Sequence, residues 1–230
     1  MHRFVVDATA TRGERFPLPA RIAHQVLVVL RLRDGDQVTL LDGLGGSLTC
    51  TLQGGDCVVL ERGTAGGEPK HQLKVWQALL KGDHLEPVIR HGTELGITGF
   101  GLFVSERCVA REMSPRRLAR LRAVAREAAE QSERGIVPPV EEPVTFTDAI
   151  KAASPGSVLL FERHKSRRLS GLDPPTSVFI GPEGGFSPAE VAAAEGAGLA
   201  IAGLGPRILR SETVAVAAVA AILSRTGDFA

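Results

Sequence analysis

"VFIGPEGGFSPAE", residues 178–190, moves from a β-branched run through Gly-Pro-Glu-Gly-Gly into a helix start. Ser187 stands where an N-cap belongs, Pro188 suits the first helical position, and Glu190 lies three residues beyond the serine, so the segment reads as a capping box. The helix is therefore well specified. The corner before it needs backbone angles, or a closeness of approach, that a Cβ forbids, and Gly184 and Gly185 supply them. Exposed N–H groups on such a corner can bind a ligand's polar edge. A phosphate suits it poorly, because neither G-x-x-x-x-G-K-[ST] nor G-x-G-x-x-G is present and Glu183 would repel it. A neutral or cationic ligand fits better; a plain strand-to-helix turn is the other reading.

A second corner follows. "GLGPRILRSET", residues 203–213, again leaves a strand through glycine and proline, and it sets Arg207, Arg210 and Glu212 just before an apolar helix. That helix is hydrophobic all round, which places it in the core or at a subunit interface. The three charges belong either to a cleft, where they are paired or exposed, or to ordinary capping and surface.

Outward from these corners, strand-like and helix-like runs alternate from residue 71 to the end, which predicts an α/β domain with a mostly parallel sheet. In that architecture ligands sit beyond the carboxyl ends of the strands, where both corners fall. Residues 1–62 differ: "HRFVV", "QVTLLDG", "SLTCTLQGG" and "CVVLERG" are short strands with turn signals between them, interrupted by a helical stretch near residues 19–30, and they suggest a small β-barrel. The glycine-rich "GTAGGEP", residues 63–69, reads as a linker. The expected division is thus 1–68 and 69–230.

The 230 residues carry 43% hydrophobic side chains and a formal net charge of +1, enough for a real core but no overall basic field. The distribution is more telling, with 22 arginines against 5 lysines. Arginine's planar fork pairs bidentately with phosphate, and residues 107–126 hold seven arginines against the single acid Glu112. In the helix read over residues 114–133, Arg116, Arg117, Arg120 and Arg122 crowd the first half while Glu127, Glu130 and Glu133 fall in the second. That order opposes the helix dipole. It points to a phosphate-facing surface or to a solvated face balanced by neighbouring acids. Three cysteines without a C-x-x-C pair encode neither a disulfide framework nor zinc, and the histidines have no metal-ligand spacing. No apolar run is long enough to span a bilayer and no leader opens the chain, so a soluble, cytoplasmic protein without metal or membrane partner is expected.

Six segments, "SVLLFERH", "VFIGPEGGFSPAE", "LGPRILRSETVAVAA", "LLKGDHLEPVIRHGTELGI", "SERC" and "EAAEQSERGIVPPV", resemble the RsmE family of SPOUT-class RNA methyltransferases. The barrel-like start resembles that family's PUA-like RNA-binding domain. The resemblance implies methylation of N3 of one uridine in small-subunit ribosomal RNA, S-adenosylmethionine as donor, a homodimer, and a trefoil-knotted sheet domain. It further implies that Phe161, Glu162, Ile180, Gly181, Pro182, Glu183, Gly184, Gly185, Leu204, Gly205, Ile208 and Leu209 form the cofactor pocket. Arg3 and Arg31 match positions where the family carries arginine and Arg134 follows its "EQS" segment; all three are expected to contact RNA backbone, and the charge run adds Arg107, Arg116 and Arg120. Arg90 departs from the family's lysine, and the absence of tyrosine leaves base stacking to Phe, His, Arg or Trp76.

The chemistry assigns roles to the second corner. Methylation at a uracil nitrogen spreads charge onto the ring oxygens, which a guanidinium can stabilise. Arg210 is expected in that role, with Arg207 positioning phosphate or substrate and Glu212 orienting an arginine or accepting a proton. A ribose 2′-hydroxyl or another base as target, or a non-catalytic RNA-binding protein, are the competing expectations.

Overall fold

A computed structural model describes residues 2–7, 11–164 and 166–229. The chain divides into two compact units, one running to Glu68 with Arg126–Val137 added, the other made of Pro69–Ala125 and Pro138–Ala230.

The first unit holds β1 (His2–Val5), β2 (Arg15–Pro17), β3 (Gln37–Leu41), β4 (Gly46–Gln53) and β5 (Asp56–Thr64) in the order β1-β3-β4-β5-β2. Pairing is antiparallel apart from β1 with β3. Phe4, Val38, Leu40, Cys50 and Leu52 alternate inward to make its core with Ile22 and Val26. The helical stretch expected near residues 19–30 is α1 (Ala20–His24) continued by one π-helical turn, Gln25–Val29. Cys50 and Cys57 are buried side by side. Their mutual hydrogen bond, then burial, pushes the Cys57 thiol far up, while the same bond lowers Cys50.

Residues 126–137, which the sequence reading placed wholly in the second domain, belong to the first unit. The reason lies in pairings that no local pattern encodes. Glu130 accepts from Val5 N at 2.9 Å and pairs with Arg21; Glu133 pairs with Arg3 at 3.2 Å. Arg134 grips Glu68 with two nitrogens, at 2.7 and 3.4 Å, and Gly45 N donates to Gly135 O at 3.1 Å. Glu130, near the dipole-unfavourable end of α3 (Pro115–Gln131), meets Arg21 of α1, and Glu133, just past that helix, meets Arg3 of β1, which offsets their unfavourable placement.

Arg134 also corrects an expectation. It is 2% exposed, its guanidinium is occupied by Glu68, and it is not available to an RNA phosphate. Arg134→Ala leaves Glu68 half-buried without its cation, so a loss of about 3–5 kcal/mol in unfolding free energy is expected by denaturant titration. A change below about 1 kcal/mol would show the pair to be decorative.

The second unit is built on a six-stranded parallel sheet: β6 (Lys74–Ala78), β7 (Gly99–Val104), β8 (Val140–Thr145), β9 (Val158–Leu160), β10 (Ser177–Ile180) and β11 (Ala200–Ala202), in the order β11-β9-β10-β6-β7-β8. Trp76 stacks on Phe179 at 5.5 Å, and Phe103 bridges Phe179 to Phe186, so aromatic rings fill the middle of the sheet. Helices α2 (Leu85–Leu95), α4 (Phe146–Lys151), α5 (Pro188–Gly196) and α6 (Ser211–Leu223) connect and cover the strands. Gly92 weakens α2 intrinsically but is required by packing, since a Cβ there would stand 2.5 Å from Ile97 and 2.9 Å from Phe100. Pro87 sits in the first turn, where no intrahelical N–H is lost. The helix starts at His84 without a side-chain cap, and Glu86 N donates to the backbone carbonyl of Asp83 at 2.9 Å. Strand β8 takes an edge position, which tolerates Pro143. Among the described residues no helix is long and apolar enough to cross a membrane.

Candidate functional site

Four neighbouring parallel strands, β11, β9, β10 and β6, deliver the chain to one edge of the sheet, and the segments that leave them surround a cavity of about 690 Å³. That volume is ordinary for a small-molecule site, and the carboxyl edge of a parallel sheet is where such sites form.

The first wall is the corner after β10. Gly185 has φ 67° and closes a turn by donating to Pro182 O at 2.9 Å. A Cβ on Gly185 would stand 3.1 Å from the Glu162 carboxylate, and one on Gly184 would stand 3.0 Å from Arg107. Both glycines are therefore fixed by close approach. The capping box forms in full: Glu190 N donates to Ser187 Oγ at 3.3 Å, and Ser187 N donates to Glu190 Oε2 at 2.9 Å. Glu190 Oε1 also accepts from Glu106 N at 2.8 Å, which ties the loop after β7 to this corner.

The second wall is the corner after β11. Gly203 is wedged against the segment that follows β9, since a Cβ there would stand 2.4 Å from the His164 carbonyl oxygen. Gly205 is the opposite case, with no atom within 4 Å of where its Cβ would be. No described residue crowds that position, and Gly205 itself lines the cavity. Arg207, Ile208 and Arg210 are exposed along this corner, and Ile208 is 82% exposed although strongly apolar.

Acidic groups complete the lining. Glu212 is half-buried with Oε1 3.5 Å from His84 Nδ1, and Glu183 Oε1 accepts from Lys81 N at 3.1 Å. All twelve residues expected to contact a cofactor line this one cavity, together with Arg207, Arg210 and Glu212. Lys81, His84, Phe186, Ser211 and Val214 line it too, and the sequence reading assigned them no role. Lys81 and His84 carried a usable signal: "LLKGDH" sits at the carboxyl end of β6, where an α/β site recruits residues.

The expected RNA-contacting arginines scatter in their circumstances. Arg107 donates to Gly184 O at 3.2 Å, and Arg120 pairs with Glu86 at 3.2 Å. Arg117 donates to Leu80 O at 2.9 Å and Arg122 to Val140 O at 3.0 Å, so much of the basic run holds loops in place. Arg3 pairs with Glu133, Arg31 is exposed at φ 55°, and Arg116 is exposed with no ion pair among the described residues. Among those residues no group of three or more His, Cys, Asp or Glu could hold a metal ion.

Comparison with known proteins agrees with this geometry. Residues 67–223 match the family described as RNA methyltransferase domain. The chain is similar to the ribosomal RNA small subunit methyltransferase E of Bacillus subtilis, at 30% identity covering 98% of this chain and 97% of that protein. It is 35% identical to the protein of the same name from Synechocystis sp., covering 95% of this chain and 74% of that one. Among solved structures, a ribosomal RNA small subunit methyltransferase E from Neisseria gonorrhoeae bound to S-adenosyl methionine aligns with a TM-score of 0.88 at 31% identity, over 98% of each chain. Sequence likeness over nearly the whole length, and the same fold around a ligand-sized cavity, lead to one conclusion: the chain belongs to the ribosomal RNA small subunit methyltransferase E family.

Proposed function

We propose that this protein transfers a methyl group from S-adenosylmethionine to N3 of a uridine in small-subunit ribosomal RNA, at the cavity between the two glycine corners. The observation that carries the proposal is the convergence of three loops, after β9, β10 and β11, on one cavity with Arg210 and Glu212 at its margin. The cavity suits the donor. Ile180, Leu204 and Leu209 offer apolar faces to an adenine ring, and the backbone of residues 181–185 offers polar edges. Gly205 lines the cavity and leaves open space where a Cβ would stand. Glu183, in the corner after β10, disfavours a phosphate against that backbone.

S-adenosylmethionine supplies a methyl group on a positively charged sulfur. The residues of this chain do the rest. N3 lies on the pairing edge of uracil, so the base must leave its stack and enter the cavity mouth. The N3 proton leaves to Glu212, the N3–carbon bond forms as the sulfur–carbon bond breaks, and S-adenosylhomocysteine departs. Arg210 faces the ring oxygens as charge builds on them.

The same reading takes the second unit as a SPOUT-type trefoil-knotted domain and the first as a PUA-like RNA-binding domain, in a cytoplasmic homodimer. A half-exposed flank of α6 with Val216, Ala217 and Ala220 is compatible with a subunit contact. The test is methyl transfer from labelled donor to isolated small subunits and to naked ribosomal RNA, with the modified nucleoside identified by mass spectrometry. N3-methyluridine is the expected product. A 2′-O-methyl nucleoside, or no transfer to either substrate, would overturn the proposal.

A further inference from the structure

Gln77 lies on β6 beside Ile180 and is fully buried. Its Nε2 is 3.2 Å from Ala78 O and 2.9 Å from Ser211 Oγ, and Ser211 Oγ is 2.6 Å from Gly181 O. A carbonyl oxygen only accepts, so the amide nitrogen, not Oε1, must face Ala78. The nitrogen's second hydrogen then goes to Ser211 Oγ, and the serine's own proton goes to Gly181 O. The chain of bonds has one direction, from Gln77 through Ser211 to the first corner.

Two features set it apart from core packing. Gln77 Oε1 is buried with no hydrogen-bond partner among the described residues, an unfavourable state that an apolar side chain of the same size would avoid. Ser211, the first residue of α6, spends its hydroxyl on Gly181 rather than on its own helix, which starts with no side-chain cap. Both choices forgo stability and join the two corners. Gln77 itself is not among the residues lining the cavity.

We infer that Gln77 is a positioning residue for methyl transfer: through Ser211 it locks the Gly181 corner to the start of α6 and so sets Arg210 and Glu212 relative to the methyl donor. The inference rests on the cavity being the donor's site. Misplacement of a reacting geometry by a fraction of an ångström is enough to slow a transfer step markedly.

The test compares Gln77→Met, Ser211→Ala, the double variant and Ser211→Thr by S-adenosylmethionine calorimetry, single-turnover methylation at saturating donor, and thermal midpoint. Gln77→Met is expected to keep or raise the midpoint, because it removes the orphaned oxygen, while both donor affinity and turnover rate fall about ten-fold. Ser211→Ala should behave alike, Ser211→Thr should restore function by keeping the hydroxyl, and the double variant should be no worse than the worse single one. A folded Gln77→Met with wild-type affinity and rate, or losses that multiply in the double variant, would overturn the inference. Should Gln77→Met not fold, the Ala and Thr variants at position 211 decide: equal activity in both would overturn it. A wild-type protein that binds the donor but methylates no RNA would refute the proposed reaction while the affinities still judge the relay; one that binds no donor would overturn both.

Discussion

Replacing Arg210 with alanine is expected to lower single-turnover methylation by about 10²–10³-fold while leaving donor affinity within about three-fold. The guanidinium is exposed at the N-terminus of α6 and makes no hydrogen bond or ion pair among the described residues. It differs in this from Arg117, Arg120 and Arg122, whose groups are committed to Leu80 O, Glu86 and Val140 O. Removing Arg210 therefore breaks no contact that supports the fold, and the loss should fall on the reacting charge alone. Arg210→Lys should recover part of the rate, since it keeps the charge but loses the planar fork. An alanine variant as fast as wild type would remove Arg210 from the mechanism.

Gly205→Leu should abolish donor binding without unfolding the protein, weakening affinity by at least about 100-fold with an unchanged thermal midpoint. The contrast with Gly203 makes the prediction sharp. At Gly203 an added Cβ meets a backbone oxygen at 2.4 Å, so Gly203→Ala should lower the midpoint first and function as a consequence. At Gly205, which lines the cavity, an added Cβ meets no described atom within 4 Å. Isothermal titration beside differential scanning calorimetry on both variants reads the difference; tight donor binding by folded Gly205→Leu would mean that the space serves something else.

Much of the site was legible because its signals are local. The Ser187–Glu190 capping box and the alternation of strands and helices after residue 71 depend on residues near one another in sequence, and the Gly184–Gly185 doublet marks its corner even though the residues that crowd it, Arg107 and Glu162, lie far off in the chain. What escaped depends on distant partners. Arg134 reads as one more basic residue until Glu68 is seen to enclose it, and Glu130 reads as a poorly placed acid until Val5 and Arg21 are seen to meet it. Likewise β2 is only three residues, too short for any alternation, and the "VEEPVT" of β8 hides its period behind Pro143. Gln77 sits unremarked in the strand "KVWQA", and only its contact with Ser211, 134 positions along the chain, gives it meaning.

The most direct measurement is a crystal structure of the protein grown with S-adenosylmethionine. Density for the adenosyl group is expected between residues 181–185 and residues 204–209, with the sulfonium methyl turned toward Arg210. Donor density elsewhere on the chain, or an empty cavity in crystals of protein that calorimetry shows to be saturated, would contradict the assignment of this cavity to methyl transfer.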